Sequence, residues 1–188
     1  MRIINFIKSR LKKMLLDEIW LEDYIKRGMR IGNNCSIQPG VIFDYSHCWL
    51  INIGNNVTIA PQVYILEHDA STKKLLDYTK IGRIRIEDDV FIGARSLIMP
   101  GVKIGNGSII GANSTVTKSI PSSVIAVGNP AKIICSVQEN KEKQQLLFKE
   151  CEMNNLVFNI DYTLKGHIGS MKKSEMFNLL EKSNGYIK

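Results

Sequence analysis

From Ile86 to Val116 an aliphatic residue returns at every sixth position: Ile86, Ile92, Ile98, Ile104, Ile110 and Val116. Small residues follow several of them, at Gly93, Gly105 and Gly111, and the fifth position of each block is small or β-branched: Val90, Ser96, Val102, Ser108, Ser114. Between these lie turn formers, Asp88-Asp89, Pro100-Gly101, Asn106-Gly107 and Ala112-Asn113. A period of six fits neither a helix, about 3.6, nor a strand, about 2. It fits a chain that runs one short strand, bends, and runs the next, with Gly, Asn and Asp tolerating the backbone angles of each bend. Stacked coils then bury aliphatic on aliphatic, which makes the chain a solenoid.

The same frame begins earlier. Ile31-Gly32-Asn33-Asn34-Cys35 and Ile37 open one block; Ile53-Gly54-Asn55-Asn56-Val57, Ile59, Val63 and Ile65 form another. The frame slips twice, between Phe43 and Ile53 and between Ile65 and Ile86. Insertions in a solenoid leave one face as loops, commonly the binding face. The first slip carries Asp44, Tyr45, His47, Cys48 and Trp49; the second opens on Glu67-His68-Asp69 and runs to about Arg85. A loop of this length in a compact repeat is functional or disordered. His68 stands where the regular coil meets it, a place that suits either a catalytic residue or an exposed surface histidine.

With 188 residues, the chain suits one domain with small appendages. No run of about 18 apolar residues exists, so no membrane-spanning helix is expected. The four cysteines form no C-x-x-C pair and read as reduced thiols of a cytoplasmic protein. The net charge of +7 suits an anionic small ligand or a membrane surface. Nucleic acid is excluded as partner, because no binding motif is present and the aromatics do not interleave with basic residues.

Residues 1–28 read as a helical cap with apolar positions Ile3, Ile4, Ile7, Leu11, Met14 and Leu15; Arg2, Lys8, Arg10, Lys12 and Lys13 make peripheral membrane contact through residues 1–20 a second reading. Residues 29–135 are the repeat domain with its loop at 66–85, and residues 136–188 are a helical tail. Ser136-x-x-Glu139 marks the start of the tail's first helix, and about Ser170 to Lys182 forms the second.

The hexads, the His68 loop, and the segments Ile110-Gly-Ala-Asn-Ser-Thr-Val-Thr-Lys118 and Gly128-Asn-Pro-Ala-Lys-Ile133 together resemble the hexapeptide-repeat acyltransferases over about residues 30–135. Within that family the chain is similar to the sugar O-acetyltransferases of the galactoside, maltose and capsule or O-antigen type. The resemblance implies a mainly β fold, a left-handed parallel β-helix of hexapeptide repeats with an N-terminal helix and a C-terminal helical tail. The left hand comes from the family alone, since chirality rules favour right-handed crossovers.

The resemblance further implies a homotrimer with active sites between subunits, acetyl-CoA as cosubstrate, and His68 as general base. Ala94 matches the residue whose backbone N–H serves the oxyanion. Phe91 stands where galactoside-type members carry Trp against the pantetheine arm. Ala112, Thr117 and Lys118 match CoA-contacting positions, and Pro130 and Lys132 match the end near the nucleotide phosphates. Asp44 matches a substrate-binding Asn or Asp. The expected function is acetyl transfer from acetyl-CoA to a sugar or glycan hydroxyl in surface-polysaccharide work, in the cytoplasm or at the inner membrane face. An amino-sugar nucleotide, serine or an antibiotic as acceptor is the alternative, and a trimeric membrane-docking scaffold is the non-enzyme one. No metal is expected, because carbonic anhydrase-like relatives need three histidines and no H-x4-H pattern exists here.

Overall fold

A computed structural model describes residues 20–160 and 168–188. The expected helix of residues 1–28 lies largely outside them; its described part is a six-residue helix, α1, at Leu21–Lys26. Asp23 starts it by accepting the Trp20 backbone N–H at 3.2 Å. Tyr24 packs below edge-on to Phe43, ring centroids 5.3 Å apart.

From Arg30 onward the chain winds into a left-handed parallel β-helix. Each coil has three short strands, so the solenoid has three flat faces. Face 1 stacks Arg30–Ile31, Ile51–Ile53, Ile84–Ile86 and Lys103–Ile104. Face 2 stacks Ser36–Ile37, Thr58–Ile59, Phe91–Ile92, Ile109–Ile110 and Val124–Val127. Face 3 stacks Ile42–Phe43, Tyr64–Ile65, Leu97–Ile98 and Thr115–Val116. All these pairings are parallel; an antiparallel strand, Lys132–Ser136, then closes face 2.

The register sets one aliphatic ladder inside each face. Ile53, Ile86 and Ile104 line one; Ile59, Ile92 and Ile110 the next; Ile65, Ile98 and Val116 the third, all essentially inaccessible to water. Each such side chain contributes about 1.5–3 kcal/mol relative to exposure. The small residue at the fifth position fits the corner. Ser96, Ser108 and Ser114 are buried there, and their hydroxyls meet backbone groups of the next coil, as in Ser108 Oγ to the Pro121 carbonyl at 2.7 Å.

The corner glycine is required by close approach. A Cβ at Gly93 would lie 2.4 Å from the Ala112 nitrogen of the next coil. Other corners place Asn34, Asn56, Asp89 and Asn113 at positive φ near 55–58°, a region that Asn and Asp enter most readily.

Outward residues give the faces different characters. Face 1 presents Arg30, Asn52, Arg85 and Lys103; face 3 presents Ile42, Tyr64, Leu97 and Thr115. Both frame slips leave the corner that joins face 3 to face 1. The longer one is anchored by His68–Asp69 pairing antiparallel with Lys80–Ile81. Its tip holds a 3-10 turn at Ala70–Thr72 and a single helical turn, α2, at Lys73–Leu76. Leu75 and Leu76 are exposed there.

A second compact unit begins at Gln138, the first ending at Val137. It contains most of the helix α3, Val137–Met153, the helix α4, Ser170–Leu179, and a short pair of strands, Val157–Phe158 and Tyr186–Ile187. Tyr186 packs edge-on to Phe148 and donates to Gln144.

Candidate active site

The two insertions meet at one corner and bring together two histidines and two carboxylates. Asp44 follows the face 3 strand Ile42–Phe43, and its backbone N–H donates to the Ile65 carbonyl at 3.0 Å. One coil above, the chain leaves Ile65 through Leu66 and Glu67 to His68. Asp44 Oδ2 contacts His68 Nδ1, and Asp44 Oδ1 accepts the Ser46 N–H at 3.1 Å. Asp44 is buried, and the His68 side chain is about a quarter exposed, at 28%.

This bears on what an imidazole can do. With Nδ1 turned to a carboxylate, the proton of the neutral ring resides there and Nε2 is the basic nitrogen. The carboxylate also stabilises the imidazolium formed when Nε2 takes a proton. Asp44, expected to bind the acceptor, thus has both oxygens engaged within the chain. The cause is the first insertion, which folds Ser46 and His47 back over it.

Glu67 is fully buried. Its Oε1 accepts the His47 backbone N–H at 2.9 Å and lies 3.8 Å from His47 Nδ1. Burial above all pushes its carboxyl up to about 7; backbone N–H donation opposes this, and the charge of nearby Asp44 adds to it. The two rings stand 5.7 Å apart, and Trp49 meets His47 edge-on at 5.3 Å. Glu67 was not among the expected site residues; its one signal in the sequence is an acid that directly ends the apolar run Val63 to Leu66.

His47, Glu67 and His68 each offer one ligand-type atom within 4.8 Å of the others. Of these, Glu67 is held by the His47 backbone N–H with the His47 ring 3.8 Å away, and His68 Nδ1 is turned to Asp44.

The other expected site residues fall elsewhere. Met99 donates its N–H to Val116, so Thr117 and Lys118 stack above the corner of His68. Ala94 and Ala112 lie at the corner joining face 2 to face 3, where the Asn113 N–H donates to the Ala94 carbonyl at 2.8 Å. Thr115 bonds to Gly128 and Ala131, which brings Pro130 to that same corner. Phe91 is exposed on face 2, and Lys132 is exposed where the closing strand begins. Crossing face 3 from Ala94 to Met99 takes five residues, at most about 16 Å at 3.3 Å each. One chain therefore separates the imidazole from Ala94, Ala112 and Pro130.

Among the described residues no helix is long and apolar enough to cross a membrane, and the four cysteines are free. The expected membrane contact of residues 1–20 lies almost wholly outside the described residues.

Comparison with known proteins agrees with this architecture. The family described as bacterial transferase hexapeptide (six repeats) matches residues 83–118. Protein CapG of Staphylococcus aureus is 39% identical over 152 residues, 77% of this chain and 80% of CapG. YvoF of Bacillus subtilis is 35% identical over 61% of this chain, which spans 64% of YvoF's length. Among solved structures, a maltose O-acetyltransferase from Clostridium difficile superposes with a TM-score of 0.51 at 26% identity, covering 68% of this chain and 83% of that one.

Proposed function

From a chain that belongs to the bacterial hexapeptide-repeat transferase family, we infer an acetyltransferase that moves acetyl from acetyl-CoA to a hydroxyl of a sugar or glycan. The observation that carries this reading is the Asp44–His68 pair at the mouth of the longer insertion. The maltose O-acetyltransferase likeness supports the sugar hydroxyl as acceptor.

In the reaction we assign, His68 Nε2 removes the proton from the attacking hydroxyl as its oxygen bonds to the thioester carbonyl carbon. The Ala94 backbone N–H faces the oxyanion of the tetrahedral intermediate. Collapse breaks the C–S bond, and the proton held on His68 passes to the leaving thiolate. Asp44 acts as a positioning residue that fixes the ring and its tautomer. Phe91, Ala112 and Thr117 line the pantetheine arm. Lys118, Pro130 and Lys132 take the phosphate end, where cations make charge-assisted bonds.

A homotrimer resolves the separation of these groups. Face 3 is the apolar face, with Ile42 and Tyr64 exposed at 49% and 41%. A ring of three chains with face 3 turned to the threefold axis sets the His68 corner of one subunit beside the Ala94 corner of the next. Each active site is then shared. We place this work in the cytoplasm, at the inner membrane face where surface glycans are assembled.

Incubation of the pure protein with acetyl-CoA and a panel of sugars, serine and chloramphenicol, following thiol release, tests this. Sugar-dependent release supports the reading. Release with serine or chloramphenicol alone replaces the acceptor, and none with any acceptor contradicts it.

A further inference from the structure

Beside the histidine pair, a cavity of about 310 Å³ opens on face 1, lined by Arg30, Trp49, Leu50, Ile51, Asn52 and Arg83. Two elements build it. Arg30 stands directly below Asn52 in the face 1 ladder, and both point outward because Ile31 and Ile53 point in. Arg83 lies where the His68 loop returns, just before the strand Ile84–Ile86 that stacks on Ile51–Ile53.

Neither guanidinium has an acidic or hydrogen-bonded partner among the described residues. Arg85, directly above Asn52 on this face, is likewise without an acidic partner among the described residues, whereas other nearby cations are engaged. Lys103, higher on the same face, is paired with Glu87 at 2.6 Å, and Arg27 lies over the Tyr45 ring at 3.9 Å. Two unpaired guanidiniums at one cavity focus a positive potential and present forks that match phosphate or carboxylate oxygens.

Trp49 supplies the third component. It is half exposed, at 52%, and its ring edge contacts His47, which in turn faces His68. An exposed indole offers an apolar face with one polar edge, suited to the C–H face of a sugar ring. Trp49 thus joins the cavity wall to the His47 ring, which is the neighbour of the His68 ring.

We propose that this cavity is the acceptor's anion subsite: Arg30 and Arg83 hold a phosphate or carboxylate substituent of the glycan, and Trp49 carries the adjoining ring. The acceptor class is therefore an anionic sugar, and its charged group sets which hydroxyl meets His68. This rests on the acetyl-transfer reading given above.

Calorimetric titration of the protein with glucose 1-phosphate, glucuronic acid and glucose tests the subsite without turnover. One or both charged sugars should bind more tightly than glucose by about tenfold or more, one bidentate contact's worth. The phosphate–carboxylate pair tells which oxyanion is taken. Arg30→Gln with Arg83→Gln should erase the preference at unchanged melting temperature and unchanged affinity for CoA. Trp49→Ala should weaken binding of the charged sugars without erasing their preference. Equal or undetectable binding of all three sugars, or a preference that survives the double variant, overturns the subsite. Acetyl transfer without charge preference sinks this inference and leaves the parent reading standing. Charge preference without acetyl transfer to any sugar does the reverse.

Discussion

Asp44 closes on Nδ1 of His68 from the coil below, so a residue of the first insertion orients a residue of the second. Neither slip in the repeat is a site by itself. The stacking that aligns Ile65 over Phe43 also aligns the two loops.

Asp44→Asn keeps the shape of this contact and removes its charge. The imidazolium formed during proton transfer loses its counterion, and the amide can impose the wrong tautomer. The kcat should fall by about 10²-fold or more, with the KM for acetyl-CoA little changed. Steady-state kinetics over pH 6–9 checks this; a KM effect restricted to the acceptor would instead return Asp44 to the substrate.

Glu67 gives a pH signature of stability. Its folded pKa of about 7 lies above the unfolded carboxyl value near 4.5, so the folded state binds the proton more tightly. Its stabilising contribution is complete below about 4.5 and is lost as pH rises to about 7. That loss is on the order of 3 kcal/mol. Glu67→Gln mimics the protonated acid and can still accept the His47 N–H. The variant should gain stability over the native chain between pH 4.5 and 7, measured by urea denaturation. Parallel pH profiles would contradict the burial argument.

Much of this was legible in the residues. The six-residue period gave the faces, because only inward aliphatics recur at that interval, and the slips marked the corner that holds His68. What escaped was three-dimensional. No pattern tells that Asp44 turns inward, since its direction depends on how Ser46 and His47 fold over it. Glu67 and His47 likewise pair only after the coils stack. The residues also did not tell that a whole face lies between His68 and the corner of Ala94 and Ala112, because that distance exists only once the coils close into three faces.

Gly93→Ala tests the corner packing. Its Cβ would meet the Ala112 backbone, which a two-residue strand cannot easily displace. A loss of about 1–3 kcal/mol is expected, seen as a lower melting temperature. The same change shifts the Ala94 N–H, so turnover should fall more than stability alone explains.

Tyr64→Glu places a carboxylate in the centre of apolar face 3, between Ile42 and Leu97. Sedimentation should show monomers of unchanged circular dichroism, and turnover should vanish with the shared site. An active monomer would refute the shared site.

Most direct is the thiol-release assay on His68→Ala, with CoA affinity and melting temperature measured on the same sample. An intact fold, native CoA binding and a kcat lower by about 10²–10⁴-fold are expected. Native turnover in that variant would contradict a general base at His68.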